Sequence, residues 1–301
     1  MMLDFRIETF LCVCKYMSYT KAAIELKMTQ PGVSQHIKYL ENYYGDKLFC
    51  YSNRRLYLTQ AGMELKEAMI SVKHDNMHLK RKIIDRSTKM NSLKLGATLT
   101  IGEFMMPLKI AEYIKKEPNT KIEFTIANTK ELLMLLDDGI IDFAIIEGYF
   151  QKSEYEYITI SNEKYILICG EDYPLKNIKN FKELFNHNLI LREDGSGTKE
   201  ILERYLSGKG HSFADFSSMS TIGSIHVIKK LVENNCGLSF MYEIAVRKEL
   251  EEGIIREIKI PNFNMHHEFN FIWRKNSVFQ DYYQSLYASL IMNTADCQST
   301  W

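Results

Sequence analysis

Between residues 18 and 41 the hydrogen-bonding side chains fall on one side of a helical repeat. Val33, Ile37 and Leu40 recur at i, i+4 and i+7, the apolar stripe of a helix that starts after Thr29. The opposite side carries Pro31, Ser34, Gln35, Lys38 and Asn42, with Gln30 at its start. Glutamine pairs bidentately with adenine, serine donates or accepts at a base edge, and lysine reaches guanine or phosphate. Ser18 opens a shorter preceding helix with Ala22, Ala23 and Leu26 as its small apolar face, so two capped helices meet at a tight break. That pairing lays the polar face of the second helix in a major groove. Gln30, Ser34 and Gln35 are then candidates for base contact, and Lys21, Arg54 and Arg55 for phosphate. The plainer alternative is a solvated amphipathic helix packed on its neighbour.

A second set of chemistry-bearing residues consists of hydroxyls near strand ends. These are Thr98 and Thr100 (flanking Leu99), Ser196 and Thr198, and Ser224. Each stands where a helix is expected to begin, and helix starts favour anions through their free amides. Gly195 and Gly197 allow close backbone approach, Arg192 adds a positive charge, and Glu147 is placed to accept from a ligand amine or to cap a neighbour. Singly, each hydroxyl is more simply a helix cap. Together, at the strand ends of an α/β fold, they describe a pocket for a small anion. Cys169 and Cys236 offer an alternative, a thiol redox signal, against which stands the inertness of most buried thiols. His74 and His78, at i and i+4, lack a third ligand and are expected to be a solvated pair, so no metal or other cofactor is implied. His266-His267-Glu268 reads as structural.

Enzyme motifs are missing. Gly195-Ser196-Gly197 lacks the spacing of a nucleophile elbow, and no phosphate loop, His-Glu-x-x-His or dinucleotide glycine pattern occurs. The chain has zero formal net charge, unevenly spread. Residues 1–90 hold 15 Lys and Arg against 9 Asp and Glu, whereas residues 91–301 hold 23 against 29. A basic front and an acidic rear suit a chain whose first part alone meets nucleic acid. Asp4, Arg6 and Glu8 interrupt the apolar start, so no signal peptide is expected. No apolar run reaches the roughly 20 residues of a membrane span, and a cytoplasmic protein with free thiols is expected.

Residues 5–14 suggest a helix beneath the pair of helices. Leu48-Phe49 and Leu56-Tyr57-Leu58 flank a polar tip at 51–55, which reads as a hairpin wing. Residues 60–88 read as one long helix, too long for its own small domain, with residues 87–92 as a polar hinge. Strands and helices then alternate, as in parallel sheets with helical crossovers. A small-molecule carrier would account for the second part alone, and an architectural nucleic-acid protein for the first alone.

Phe10, Ser18, Ala22-Ala23, Leu26, Thr29-Gln30-Pro31, Ser34, Ile37, Leu40-Glu41, Gly45, Leu48-Phe49, Leu58-Thr59 and Gly62 resemble the N-terminal signature of the LysR-type transcriptional regulators. Arg192-Glu193-Asp194-Gly195-Ser196-Gly197-Thr198 is similar to a motif in the branch that regulates carbon fixation and sulfur assimilation, though Asp194 and Lys199 depart from it. The resemblance implies an α/β chain with a winged helix-turn-helix at 1–59 and a dimerising linker helix at 60–88. An effector domain like the periplasmic binding proteins would follow, with one lobe from 91–161 and 268–292 and the other from 162–267. It implies double-stranded DNA, a small effector, and a homodimer or homotetramer as partners. Ser18, Lys21, Thr29, Gln30, Pro31, Ser34, Gln35, Lys38, Arg54 and Arg55 would meet DNA. Thr98, Leu99, Thr100, Glu147, Arg192, Ser196, Gly197, Thr198 and Ser224 would meet the effector.

Overall fold

The computed structural model describes residues 4–88, 90–175 and 178–292. Cys297 and one residue of the expected hinge, Lys89, lie outside these. The chain opens with three helices, α1 (Phe5–Tyr16), α2 (Tyr19–Glu25) and α3 (Gln30–Tyr44), and a hairpin of β1 (Phe49–Ser52) and β2 (Arg55–Leu58). Phe10, Val13, Ala22, Val33, Ile37 and Leu48 form its core. The alanines let α2 and α3 cross closely. Ser18 and Thr29 cap their helices, accepting from Lys21 N and Gly32 N at 3.3 Å each. Glu41 closes the other end of α3: its carboxylate accepts from Leu48 N at 3.1 Å and Lys47 Nζ at 2.7 Å, tying the helix to the wing. Phe5, the first residue of the helix expected beneath the pair, is exposed and lies edge-on to His36 at 4.9 Å.

Helix α4 (Gln60–Thr88) leaves this unit, with Thr59 Oγ1 accepting from Gly62 N at its start. The second part begins with β3 (Asn91–Ala97), α5 (Leu99–Phe104), α6 (Met106–Lys116), β4 (Thr120–Ile126), α7 (Thr129–Asp137) and β5 (Phe143–Ile146). The strand β6 (Tyr155–Gly170) follows, then β7 (Asn188–Leu191), α8 (Gly197–Gly208), β8 (Ser218–Thr221), α9 (Ile225–Glu233) and β9 (Ser239–Tyr242). The described chain closes with α10 (Glu243–Glu251), β10 (Ile255–Ile258), β11 (Met265–Arg274) and α11 (Gln280–Leu290).

Strands β10, β6, β11, β5, β3 and β4 lie side by side in that order, and β9 also pairs with β6. β3 runs parallel to both β4 and β5. β6 and β11 are antiparallel from Tyr155 opposite Arg274 to Tyr165 opposite Met265. Beyond that, the last residues of β6 pair with β9 and β10. β6 therefore serves one lobe with its first half and the other with its second. Only residues 165–169 read as strand from the sequence. The first half alternates polar and charged groups (Glu156, Thr159, Ser161, Glu163) and is stabilised by its partner β11 rather than by its own apolar content. The short elements β8, α10 and β10 are not legible in the sequence either.

The histidine pair of α4 departs from expectation. His74 and His78 are buried, not solvated. His78 Nδ1 lies 2.7 Å from Asp142 Oδ1, and His74 Nε2 lies 3.2 Å from the Asp142 carbonyl. Arg81 donates to the same carboxylate and, at 2.9 Å, to Gly139 O. One turn earlier Ser71 donates to Lys275 O at 2.9 Å, and Asp75 accepts from Ser277 Oγ at 2.6 Å and Val278 N at 2.9 Å. These residues share one face of α4 and clasp the helix to the lobe that contains β3–β5. Burial resists the charge on Asp142, yet the His78 hydrogen bond and the Arg81 guanidinium outweigh it and hold the carboxyl below its ordinary value. Gly139 is required there: it has φ +68°, and a Cβ would stand 3.2 Å from His74 Cα.

Candidate functional site

The outer face of α3 is open. Gln30, Gln35 and Lys38 are exposed, and Gln30 Nε2 donates to Ser34 Oγ at 2.9 Å. Within the described residues the side chains of Lys21, Gln35, Lys38, Arg54 and Arg55 have no hydrogen-bond or ion-pair partner. Behind that face, His36 Nδ1 lies 2.9 Å from Thr9 Oγ1, which fixes α3 on α1. Asn53 and Arg54 both have positive φ, 48° and 61°, the two-residue turn whose twist matches a tight hairpin. Arg54 and Arg55 thus project from the wing tip, on exposed backbone. Free donors at the start of a helix, beside a basic hairpin, form a surface able to meet a polyanion whose edges carry acceptors.

The hydroxyls after β3 and β7 behave otherwise. Thr98 precedes α5 and Ser196 precedes α8, but neither side chain caps its helix. Thr98 Oγ1 donates to Glu147 Oε2; Thr100 and Thr198 donate to Glu147 Oε1 at 3.3 and 3.2 Å. Glu147 follows β5, is fully buried, and joins hydroxyls from both lobes. Burial pushes its carboxyl above its ordinary value, against the three hydroxyls and the charge of Arg192. Arg192 is itself engaged: its Nε and Nη2 donate to Glu193 at 2.8 Å each. Ser224 caps α9, accepting from Val227 N at 3.4 Å, and Leu99 packs in the apolar cluster of the second lobe. The structure therefore brings Thr98, Thr100, Glu147 and Thr198 together and leaves Ser224 outside that group.

Beside this knot runs an open groove of about 1040 Å³ between α7 and α8. Thr129, Lys130, Tyr149, Ser196, Lys199 and Arg204 are among its walls. Arg204 stacks over the Tyr149 ring at 3.6 Å, a second contact between lobes. Tyr149 and Thr129 were not singled out from the sequence, since nothing local marks them. Cys169 is buried and its thiol is pushed up to about 11 by burial, opposite to the shift that makes a thiol reactive, while Cys236 is exposed.

Two family models match the chain: "Bacterial regulatory helix-turn-helix protein, lysR family" over residues 6–63, and "LysR substrate binding domain" over residues 86–291. The chain belongs to the LysR family of transcriptional regulators. It is 30% identical to the HTH-type transcriptional regulator CysL of Bacillus subtilis over 269 residues, covering 88% of this chain and 89% of that one. It is 26% identical to a probable RuBisCO transcriptional regulator of Cyanophora paradoxa over 267 residues, covering 86% of this chain and 82% of that one. These are relatives of the branch to which the motif at 192–198 is similar. Among solved structures it resembles the CcmR regulatory domain of Synechocystis PCC6803 in complex with 2-PG. That match has a TM-score of 0.58 and 18% identity, and covers 68% of this chain and 99% of that domain. In this LysR-type regulator the open polar face of α3 lies within the helix-turn-helix match, and the Glu147 knot lies within the substrate-binding match. No described helix is long and apolar enough to cross a membrane.

Proposed function

We propose that this regulator reads DNA with Gln30, Ser34 and Gln35, and holds phosphate with Lys21, Lys38, Arg54 and Arg55. Ser18, Thr29 and Pro31 shape the two helix starts against the backbone. The carrying observation is the exposed polar face of α3, with Gln35 and Lys38 unpartnered among the described residues, beside an exposed basic wing tip. Such groups need no rearrangement to meet base edges and phosphates. The protein acts by binding rather than by catalysis, and works in the cytoplasm. Its working units are 1–59, 60–88, 91–161 with 268–292, and 162–267.

It functions as a dimer or a pair of dimers. Val72, Leu79 and Ile83 are exposed on α4 at i, i+7 and i+11, a face left uncovered by the polar clasp. Two recognition helices would then meet half-sites roughly 34 Å apart. Control comes from a small anion between the lobes, held by Thr98, Thr100, Ser196, Gly197 and Thr198, with Glu147 and Arg192 beside it. Support comes from the convergence of hydroxyls from both lobes, and from a fold that in the CcmR domain holds 2-PG. Selection of duplexes from a random pool by the full-length protein is the test. A two-fold symmetric site should emerge, and failure to enrich any sequence would refute the reading.

A further inference from the structure

The interlobe cleft already contains a carboxyl group, and it belongs to the protein. The Glu147 carboxylate accepts hydrogen bonds from the hydroxyls of Thr98 and Thr100 in its own lobe and of Thr198 in the other. The Tyr165 hydroxyl on β6 steadies the same turn of α8, donating to Thr198 O at 2.9 Å. The two backbones touch beside the carboxylate: a Cβ on Gly197 would stand 2.6 Å from Gly148 Cα. The hydroxyl of Thr129 is buried there without a partner among the described residues. Among the described residues no cation is bonded to Glu147, and Arg192 is held by Glu193. Hydroxyl donors from both lobes thus converge on one buried carboxylate, with the Thr129 hydroxyl unused beside them, and an acceptor-rich ligand matches them better than a cation does.

We propose that Glu147 is a resident stand-in for the effector: it latches the lobes until an oxyanion takes over the hydroxyls of Thr98, Thr100 and Thr198, whereupon one proton from solvent settles on Glu147. This rests on the interlobe reading above and adds the switch, the exchange of a resident carboxylate for the incoming oxyanion. Two oxyanions sharing one set of donors cannot both stay charged in a buried site, so one takes a proton. The ligand brings negative charge and the proton offsets one unit of it. Protonation also turns Glu147 from a competitor into a further donor. The ionisable groups facing it are Arg192, from the loop after β7, Tyr165 on β6 and Tyr242 on β9. Burial holds both tyrosines well above their ordinary value, so the carboxyl is the group that titrates.

Sulfate is a suitable probe because it does not itself titrate near neutrality. Calorimetry on the full-length protein, in two buffers of different ionisation enthalpy, reads affinity and proton uptake together. Wild-type protein should take up about one proton per sulfate and bind about tenfold more tightly for each unit that pH falls toward neutrality. Glu147→Gln keeps the shape and removes the charge. It should bind sulfate at least about tenfold more tightly at pH 8, with a flat pH profile, a gain worth one unit of differential protonation. Glu147→Asp should keep the pH slope. Adding Thr198→Val to Glu147→Gln should abolish the gain. No gain in Glu147→Gln, no proton uptake by the wild type, or a gain indifferent to Thr198→Val would each overturn the proposal. The interlobe reading fails separately, if Thr100→Val and Thr198→Val leave the small-molecule response of DNA binding unchanged.

Discussion

The recognition face of α3 and the cleft at Glu147 are both rich in short polar side chains, yet they are built on opposite terms. On α3 the side chains of Gln35 and Lys38 find no partner within the described residues. In the cleft the hydroxyls of Thr98, Thr100 and Thr198 are all committed to one carboxylate. An uncommitted surface is ready for its ligand, and changing it costs binding alone. A committed cluster stabilises the fold and must exchange partners to bind, so changing it alters stability, affinity and conformation together. The clasp of α4 is an extreme of the second kind, and the wing tip an extreme of the first.

The largest effect should come from the clasp. Asp142→Ala leaves the Arg81 guanidinium, the His78 ring and the Lys94 amide without their shared carboxylate, and should cost about 3–5 kcal/mol of stability. The urea midpoint of the full-length protein reads this directly. Because the folded Asp142 carboxyl lies below its ordinary value of 3.8, its contribution is present above that pH and lost as pH falls toward the folded value. The gap between wild type and Asp142→Ala should therefore narrow below about pH 4. A loss under about 1 kcal/mol would mean that the clasp contributes no more than an ordinary surface pair.

The same contrast governs what could be read from the sequence. Helix α3 carries its purpose in residue types alone: an apolar stripe, a capping threonine, a first-turn proline and a polar outer face. The wing was legible because a tight hairpin needs two short apolar runs and a polar tip. The buried face of α4 was not legible, because its members are Ser71, His74, Asp75, His78 and Arg81. A search for apolar periodicity passes over them, and their partners lie more than 50 residues away in sequence. The cleft was half legible. Its hydroxyls could be marked as helix starts, but that Thr98, Thr100 and Thr198 converge on Glu147 depends on how two lobes close. Nothing local to Glu147 says that it is fully buried.

Assembly gives the next effect. Met69 packs into the core of the N-terminal unit, so it is a poor probe of association. Val72 and Ile83 are 44% and 59% exposed and touch no such core. Each would contribute about 1.5–3 kcal/mol per subunit if covered by a partner helix. Val72→Glu with Ile83→Glu should yield folded monomers that bind a half-site but not a palindrome cooperatively. Dimers persisting in light scattering of the double variant would place the interface elsewhere.

Gln35→Ala separates binding from folding. The melting temperature should stay within the scatter of surface substitutions, since no described partner is lost. Affinity for the selected site should fall by about 1–3 kcal/mol, with preference relaxed at one base pair. Equal losses on selected and random duplexes would remove Gln35 from the base-reading set.

The smallest effect should be at the wing tip, and it is the strictest test of an uncommitted surface. Arg55 begins β2, opposite Ser52, with its guanidinium exposed and unpartnered within the described residues. A guanidinium on phosphate releases a counterion, and that term is blind to sequence. Arg55→Ala should therefore weaken selected and random duplexes by the same factor. The slope of log affinity against log salt should flatten by about 0.9 per lost phosphate contact. Stability should not move, because the hairpin keeps its Asn53-Arg54 turn and its buried Leu56. If the slope is unchanged while the selected site alone suffers, Arg55 reads a base edge in the minor groove. The wing would then belong with α3 among the specifying elements rather than the positioning ones.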